Sequence, residues 1–413
     1  MAQTSDLNGE SLSIEKAVAL ALENHPSVRA ARANMEGASA GLTFAKSSYY
    51  PSLNATATYQ RTDGAFVFNP NFAPINQTYN NYTGILSVNE TIFDFGKTIG
   101  KVSASGSLAD AASQDYDAAR QTVALNAYIA YLGLVQRKQI ERVNSLAVAS
   151  TEQHLKQARA FYSVGRRAQF DVTKAEVDLA NAQVSSITAR NNVRLAKLQL
   201  DNAIGIHTTN VYALIDSFDV APYDIALDSV RAITASTRPD LNSARARADA
   251  NQALVTAAKG QHLPTVSAFG TWTWSNFNFP LYNRWVGGLS FTLPLFQGFG
   301  VMAQVDQAEA AANAARANLD VLSDAVITES EQYYLAMKEA RERIDATTKL
   351  VEQASENLNL AEKQYTAGVN SVIEVTDAQL SLSNARITRI QALYDYNSSV
   401  VHLKRAMGVL LKQ

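Results

Sequence analysis

Four short stretches of the chain alternate apolar and polar residues with a period of two, and long proline-free stretches with helical composition follow them. From Ser52 to Gln60, Leu53, Ala55, Ala57 and Tyr59 share one side, and Ser52, Asn54, Thr56, Thr58 and Gln60 the other. Val266, Ala268, Gly270, Trp272 and Trp274 alternate with Thr265, Ser267, Thr271, Thr273 and Ser275, with Phe269 out of place. Trp285, Leu289, Phe291, Leu293 and Leu295 alternate with Val286, Gly288, Ser290 and Thr292. The stretch near 83–93 alternates less cleanly, because Glu90 breaks its apolar side. A two-residue period predicts strands with one apolar face and one uncharged, hydrogen-bonding face.

The helical stretches are unusually long. No proline interrupts the chain from Lys97 to Tyr162, and a matching stretch runs from Val301 to Tyr365. The first predicts a helix of roughly 100 Å at the rise of an α-helix. Such a helix belongs to a coiled coil or an extended tube, not to a compact globular domain. Alanine-rich runs such as Leu108-Ala109-Asp110-Ala111-Ala112 let helix axes approach closely and favour helix formation. On the helices alone, a solvent-exposed antiparallel rod and a tunnel fit equally well.

The chain is one unit used twice. His25-Pro26 precedes Pro51-Ser52-Leu53, and Arg238-Pro239 precedes Pro264-Thr265-Val266, the two prolines lying 25 residues apart in each copy. These landmarks repeat at an offset of 213. Phe93 and Phe296, Tyr131 and Tyr334, Tyr162 and Tyr365, Gly165 and Gly368, and Gly205 and Gly408 repeat at 203. The ten-residue difference falls between Pro51 and Phe93, which marks a surface loop there, and residues 61–81 have the composition of one. Each half reads as short helix, helix, two strands, long helix, turn and helix. Residues 1–205 form the first repeat, 206–224 a joining segment with Pro222, and 225–413 the second repeat. Pro26 and Pro239 suit the first turn of a helix.

Composition narrows the possibilities. The 413 residues carry a net charge of −2, which gives nucleic-acid binding no electrostatic support. With 47% hydrophobic and 18% charged residues, the chain has the means to fold. Cysteine is absent, which removes disulfides, thiolate metal sites, a cysteine nucleophile and a lipidated cysteine. Met1-Ala2-Gln3-Thr4-Ser5 reads as a mature N-terminus behind an added start methionine, and no stretch is apolar for long enough to predict a membrane-spanning helix. Barrel strands escape such a search. The five histidines are scattered without metal-ligand spacing, and no catalytic set or cofactor motif is present, so no enzyme is expected. His25 and His262, next to prolines at helix ends, read as caps or packing residues.

The strands decide between rod and tunnel. Their pattern suits a barrel with a wet lumen and a lipid-facing exterior, and Trp272, Trp274 and Trp285 all lie in them as membrane-interface aromatics. An antiparallel sheet on a soluble core shows the same alternation, but each strand pair here leads directly into a very long helix, leaving no layer to cover the apolar face. Four strands cannot close a barrel, and open edges are not tolerated in a bilayer. The chain is therefore expected to oligomerise, with stoichiometry left open by these arguments. The competing reading is a soluble or periplasmic helical scaffold or adaptor, which leaves the lipid-compatible strand faces unexplained.

Over essentially its whole length the chain resembles the TolC-like outer-membrane efflux proteins. The resemblance rests on Tyr50-Pro51-Ser52-Leu53 and Gln261-His262-Leu263-Pro264-Thr265-Val266, and on Ile92-Phe93-Asp94-Phe95-Gly96 and Leu293-Pro294-Leu295-Phe296-Gln297-Gly298. It rests also on the turns Tyr162-Ser163-Val164-Gly165 and Tyr365-Thr366-Ala367-Gly368, followed by Asp171-Val172 and Glu374-Val375. The resemblance implies an α+β membrane protein of a Gram-negative bacterium, a homotrimer whose twelve-stranded transmembrane β-barrel continues as a long α-helical barrel in the periplasm. It implies a passive exit duct for a tripartite efflux or type I secretion system. The partners implied are a periplasmic adaptor (membrane fusion) protein, an inner-membrane pump or ABC exporter, and outer-membrane lipid.

Gly165 and Gly368 read from the sequence as left-handed helix stops. By the resemblance, the turns around them, Gly165-Arg166-Arg167 and Gly368-Val369-Asn370-Ser371, also contact the adaptor, one basic and the other neutral. Glu374 and Asp377 match family positions of an acidic ring at the tunnel entrance, six carboxylates in a trimer, which would favour cations and raise one another's pKa. Ser371-Val372-Ile373-Glu374 is also a capping box, which would make Glu374 a helix-start residue. The first repeat has Asp171 and Lys174 at the matching positions. Tyr365 matches a tyrosine that holds the entrance closed. Asn370 stands where well-known members have a latching arginine, and Arg166 or Arg167 is placed to reach Asp171 instead.

Overall fold

The structure is a computed structural model and describes residues 11–66, 75–206, 213–215, 218 and 222–411. In chain order the elements are β1 (Ser11–Leu12), α1 (Ile14–Asn24), α2 (Pro26–Lys46), β2 (Ser52–Phe66), β3 (Ile75–Phe93), α3 (Lys97–Ser163) and α4 (Gln169–Ile204). After them come β4 (Ala213–Leu214), α5 (Leu227–Thr237), α6 (Pro239–Gly260), β5 (Thr265–Asn276), β6 (Tyr282–Thr292), α7 (Gly300–Ala367) and α8 (Val372–Ala406). Both prolines open their helices, and the two long helices have 67 and 68 residues. Among the described residues no helix is long and apolar enough to cross a membrane.

Two compact units emerge, and each draws on both repeats: residues 1–33, 114–242 and 321–413 form one, and 34–113 and 243–320 the other. In the first unit, Leu12, Leu20, Leu134, Leu200 and Ile204 pack around Tyr131. The Tyr131 hydroxyl lies 3.0 Å from the carbonyls of both Leu12 and Ile215. It thereby braces the parallel β1–β4 pair, two strands too short for any period to announce. Val230, Met337, Ile344, Leu403 and Met407 gather around Tyr334, the second-repeat counterpart. His25 Nδ1 accepts from the Ser27 amide at 3.2 Å, a cap at the start of α2.

Glycine closes the last helix of each repeat. Gly205 and Gly408 have φ of +77° and +72°, and both lie against the residue that precedes the helix-opening proline. A Cβ on Gly205 would stand 3.2 Å from His25 Cα, and one on Gly408 only 2.8 Å from Arg238 Cα and from the Thr237 carbonyl. The second contact is further fastened. Thr237 Oγ1 donates to the Met407 carbonyl, and buried Arg238 pairs with Asp240 and Glu329.

In the second unit, the strands form one antiparallel sheet in the order β2-β3-β5-β6. Its register puts Leu53, Ala55 and Ala57 opposite Val88, Leu86 and Gly84. Leu86 and Gly84 in turn face Trp272 and Trp274, and Trp272 faces Trp285. One face is therefore apolar across all four strands, with Leu289 75% exposed and Trp285 71%. Trp272 and Trp274 stack with centroids 6.0 Å apart, and the Trp274 ring lies against Gly84. Glu90 does fall on this apolar face, opposite Ala268. Phe269, on the hydroxyl-rich face, lies against Gly288, where no side chain competes for the space.

The loop expected over 61–81 is shorter than its composition suggests. Strand β2 continues to Phe66 and β3 begins at Ile75, while 67–74 lie outside the described residues. Polar residues form this extension because cross-strand pairs satisfy them: Thr78 Oγ1 donates to Asp63 at 3.0 Å, and the Tyr59 hydroxyl to Asn80 at 3.1 Å. The sheet is anchored to the helix that follows. Asp94 accepts from the Thr98 amide and hydroxyl, and Lys97 Nζ donates to the Leu263 carbonyl and Thr265 Oγ1.

Candidate functional site at the hairpin tips

Each long helix ends in a tight turn and reverses into a shorter helix, so the first unit carries two hairpin tips. Gly165 and Gly368 take φ of +74° and +85°. Their amides bond to the carbonyls of Tyr162 and Tyr365, and the next amides to those of Phe161 and Gln364. This paired pattern satisfies the last carbonyls of a helix and requires a left-handed residue.

Arg167 joins one tip to the other. Its guanidinium donates to the Tyr365 carbonyl at 3.1 Å and to the Asn370 carbonyl at 2.9 Å. It also lies 4.7 Å from the centre of the Tyr365 ring and 4.0 Å from Asp171 Oδ2. Asp171 and Tyr365 are both buried. The phenol's pKa is raised, chiefly by burial and further by the Asp171 carboxylate, with Arg167 opposing, and its buried hydroxyl makes no hydrogen bond among the described residues. Phe161 packs edge-on against the ring at 6.0 Å. The structure thus brings Tyr365, Asp171 and Arg167 together and puts the arginine in the first-repeat tip.

Glu374 and Asp377 stand apart from this cluster, both exposed on the first turns of α8. The expected capping box does not form. Ser371 has the extended backbone of a cap residue, but its side chain makes no cap hydrogen bond. The turn is held from elsewhere: Gln364 receives the amides of Val369 and Asn370 on its carbonyl and the Asn370 side-chain amide on Oε1, while Arg167 holds the Asn370 carbonyl. Exposed Val164 and Val369 cap the two apices.

Sequence reasoning missed two cross-links above the tips. Asp178 accepts from Lys174 on its own helix and from Thr376 on α8 at 2.9 Å, joining the two hairpins. His154 on α3 lies 3.5 Å from Glu362 on α7. The Lys174–Asp178 spacing of four signals a helical ion pair, but nothing in the sequence tells that its carboxylate also serves another helix. Among the described residues, no group of three metal-ligating side chains forms.

A chain that holds an open-edged sheet with an exposed apolar face in one unit and two cross-braced helical hairpins in the other has the parts of a membrane-channel subunit. The profile of outer membrane efflux proteins matches residues 17–206 and 233–409. Outer membrane protein TolC of Escherichia coli K12 is 25% identical over 94% of this chain and 81% of its own length. TolC of Salmonella enteritidis is 24% identical over 94% and 80%. The crystal structure of the Campylobacter jejuni CmeC outer membrane channel aligns with a TM-score of 0.86 and 22% identity, covering 99% of this chain and 91% of that one. The chain belongs to the outer membrane efflux protein family. It is an outer-membrane channel of export systems, extending into the periplasm.

Proposed function

We propose that three copies of this chain form a passive exit duct, fed by a periplasmic adaptor and an inner-membrane pump or ABC exporter, and that the hairpin tips are its gate. The observation that carries the gate is the Arg167 bridge, which ties the two hairpins of one chain together through two main-chain carbonyls. Three chains contribute twelve strands, and outer edges β2 and β6 of neighbouring copies pair to close the barrel. The exposed apolar face then meets lipid, with Trp272, Trp274 and Trp285 as its aromatic anchors. Glu374 and Asp377, exposed on α8, ring the entrance and favour cations. Gly165, Arg166, Arg167, Gly368, Val369, Asn370 and Ser371 form the surface that meets the adaptor.

Single-channel recording in planar bilayers tests the ring. Asp377→Ala should abolish block of the current by divalent cations, with Glu374→Ala reducing it. Block of undiminished strength in Asp377→Ala removes these carboxylates from the entrance.

A further inference from the structure

We infer that the first-repeat tip recognises a carboxylate on its docking partner and that Arg166 is the recognising group; this rests on the tips being the adaptor-docking surface. The two neighbouring arginines differ in what they have to do. Arg167 is already committed to two carbonyls, Asp171 and the Tyr365 ring. Arg166 is exposed and makes no ion pair among the described residues. Its guanidinium lies 5.5 Å from the centre of the Phe161 ring, and its amide bonds to the Phe161 carbonyl. That contact steadies the side chain, and its exposed guanidinium has the donors for a two-pronged carboxylate.

The surroundings favour an acidic side chain carried by a protein. Nearby carboxylates are engaged elsewhere: Asp171 with Arg167, Glu176 with Arg159, Asp178 with Lys174 and Thr376. Arg166 forms no ion pair with these carboxylates or with exposed Glu374 and Asp377. It borders a cleft of about 200 Å³ that Phe161, Arg167, Tyr365, Thr366 and Gly368 also line, between the two tips. Val164 and Val369 are 66% and 77% exposed at the two apices. With Arg167 already engaged, the one guanidinium left over, beside Phe161 and Val164, suits a single carboxylate in a partly dehydrated contact, where such a bond gains strength. Phosphate-rich ligands call for clusters of cations.

The test uses the full chain in detergent and two synthetic helical-hairpin peptides that differ only in a Glu or a Gln at the apex. The Glu peptide should bind at least about tenfold more tightly, and Arg166→Gln should erase that preference. Equal binding of the two peptides, or a preference that survives Arg166→Gln, overturns the proposal. A Val164→Trp variant then separates the two ideas. If it blocks both peptides, docking at the tip stands and only the carboxylate contact falls. If neither peptide binds the unmodified chain, the contact and the docking reading fall together. Arg166 is exposed, so the variant should melt with the parent, which guards against a folding artefact.

Discussion

The guanidinium of Arg167 donates a 2.9 Å hydrogen bond to the main-chain carbonyl of Asn370, 203 positions further along. That separation is the offset of the internal duplication, so the arginine holds its own counterpart in the other repeat. Duplication alone would have made the two tips alike. Giving one of them a cation and the other only carbonyls turns a symmetric pair into a fastener.

Removing that fastener should loosen the entrance. Hydrogen bonds to a charged donor contribute about 1.5–3 kcal/mol, equivalent to tenfold or more in an equilibrium. Arg167→Ala should raise the occupancy of the conducting state by about tenfold in planar bilayers. Arg167→Lys should give an intermediate result, since an ammonium keeps the charge and loses the planar fork. Identical open probability in all three proteins excludes a latch at this residue.

The glycines that close each repeat predict unequal sensitivity. Gly408→Ala puts a methyl group 2.8 Å from Arg238 Cα and forces a left-handed alanine, so about 2–3 kcal/mol should be lost. Gly205→Ala meets His25 Cα at 3.2 Å and should cost about 1–2 kcal/mol, mostly backbone strain. Thermal unfolding of the two variants side by side checks the order, and a milder effect at Gly408 would contradict it.

His402 stacks on Tyr333 with centroids 4.6 Å apart, and its pKa lies below the ordinary 6.5. Burial is the main cause and Arg405 adds to it, while Glu329 opposes. A depressed folded value means the neutral ring is favoured in the native state. The associated stability is complete above the unfolded value and is lost as pH falls through the folded one. Unfolding midpoints should drop as pH falls below the ordinary histidine value of 6.5, and His402→Phe should flatten that slope while keeping the stack. A slope that persists in the variant assigns it to other groups.

The exposed tryptophans offer a test of lipid contact. In proteoliposomes, brominated acyl chains should quench the fluorescence of Trp285 and Trp272, measured in variants that keep one tryptophan at a time. Bromine leaving both unquenched would mean that the apolar face is covered by protein.

Much of this architecture could be read in advance because periodicity and punctuation are strong in the chain. The prolines at 26 and 239 open helices, and the glycines at 165 and 368 end them. Strand phase was legible wherever apolar and hydroxyl side chains alternate. It failed at 61–66 and 75–81, because cross-strand pairs such as Asp63–Thr78 stabilise a strand that by composition looks like a loop. At the tips, resemblance pointed to Glu374, Asp377 and Tyr365, of which Tyr365 lies in the bridged cluster, and Asp171 and the basic pair were visible as the first-repeat counterparts. Which arginine bridges, and to what, was not, since its partners are backbone atoms that carry no signature in a sequence. Asp171 and Glu374 show the same limit. They occupy matching places in the two repeats, yet one is buried beside a guanidinium and the other is exposed.

Because the fastener closes on peptide oxygens, a change of side chain at position 370 removes the bond to Gln364 but keeps the acceptor that Arg167 holds. Nearly any residue there still presents the same carbonyl, whereas the donor tolerates no such freedom. Mutational scans should therefore be tolerant at position 370, strict at left-handed Gly368 for its own reason, and strict at the single side chain that reaches across.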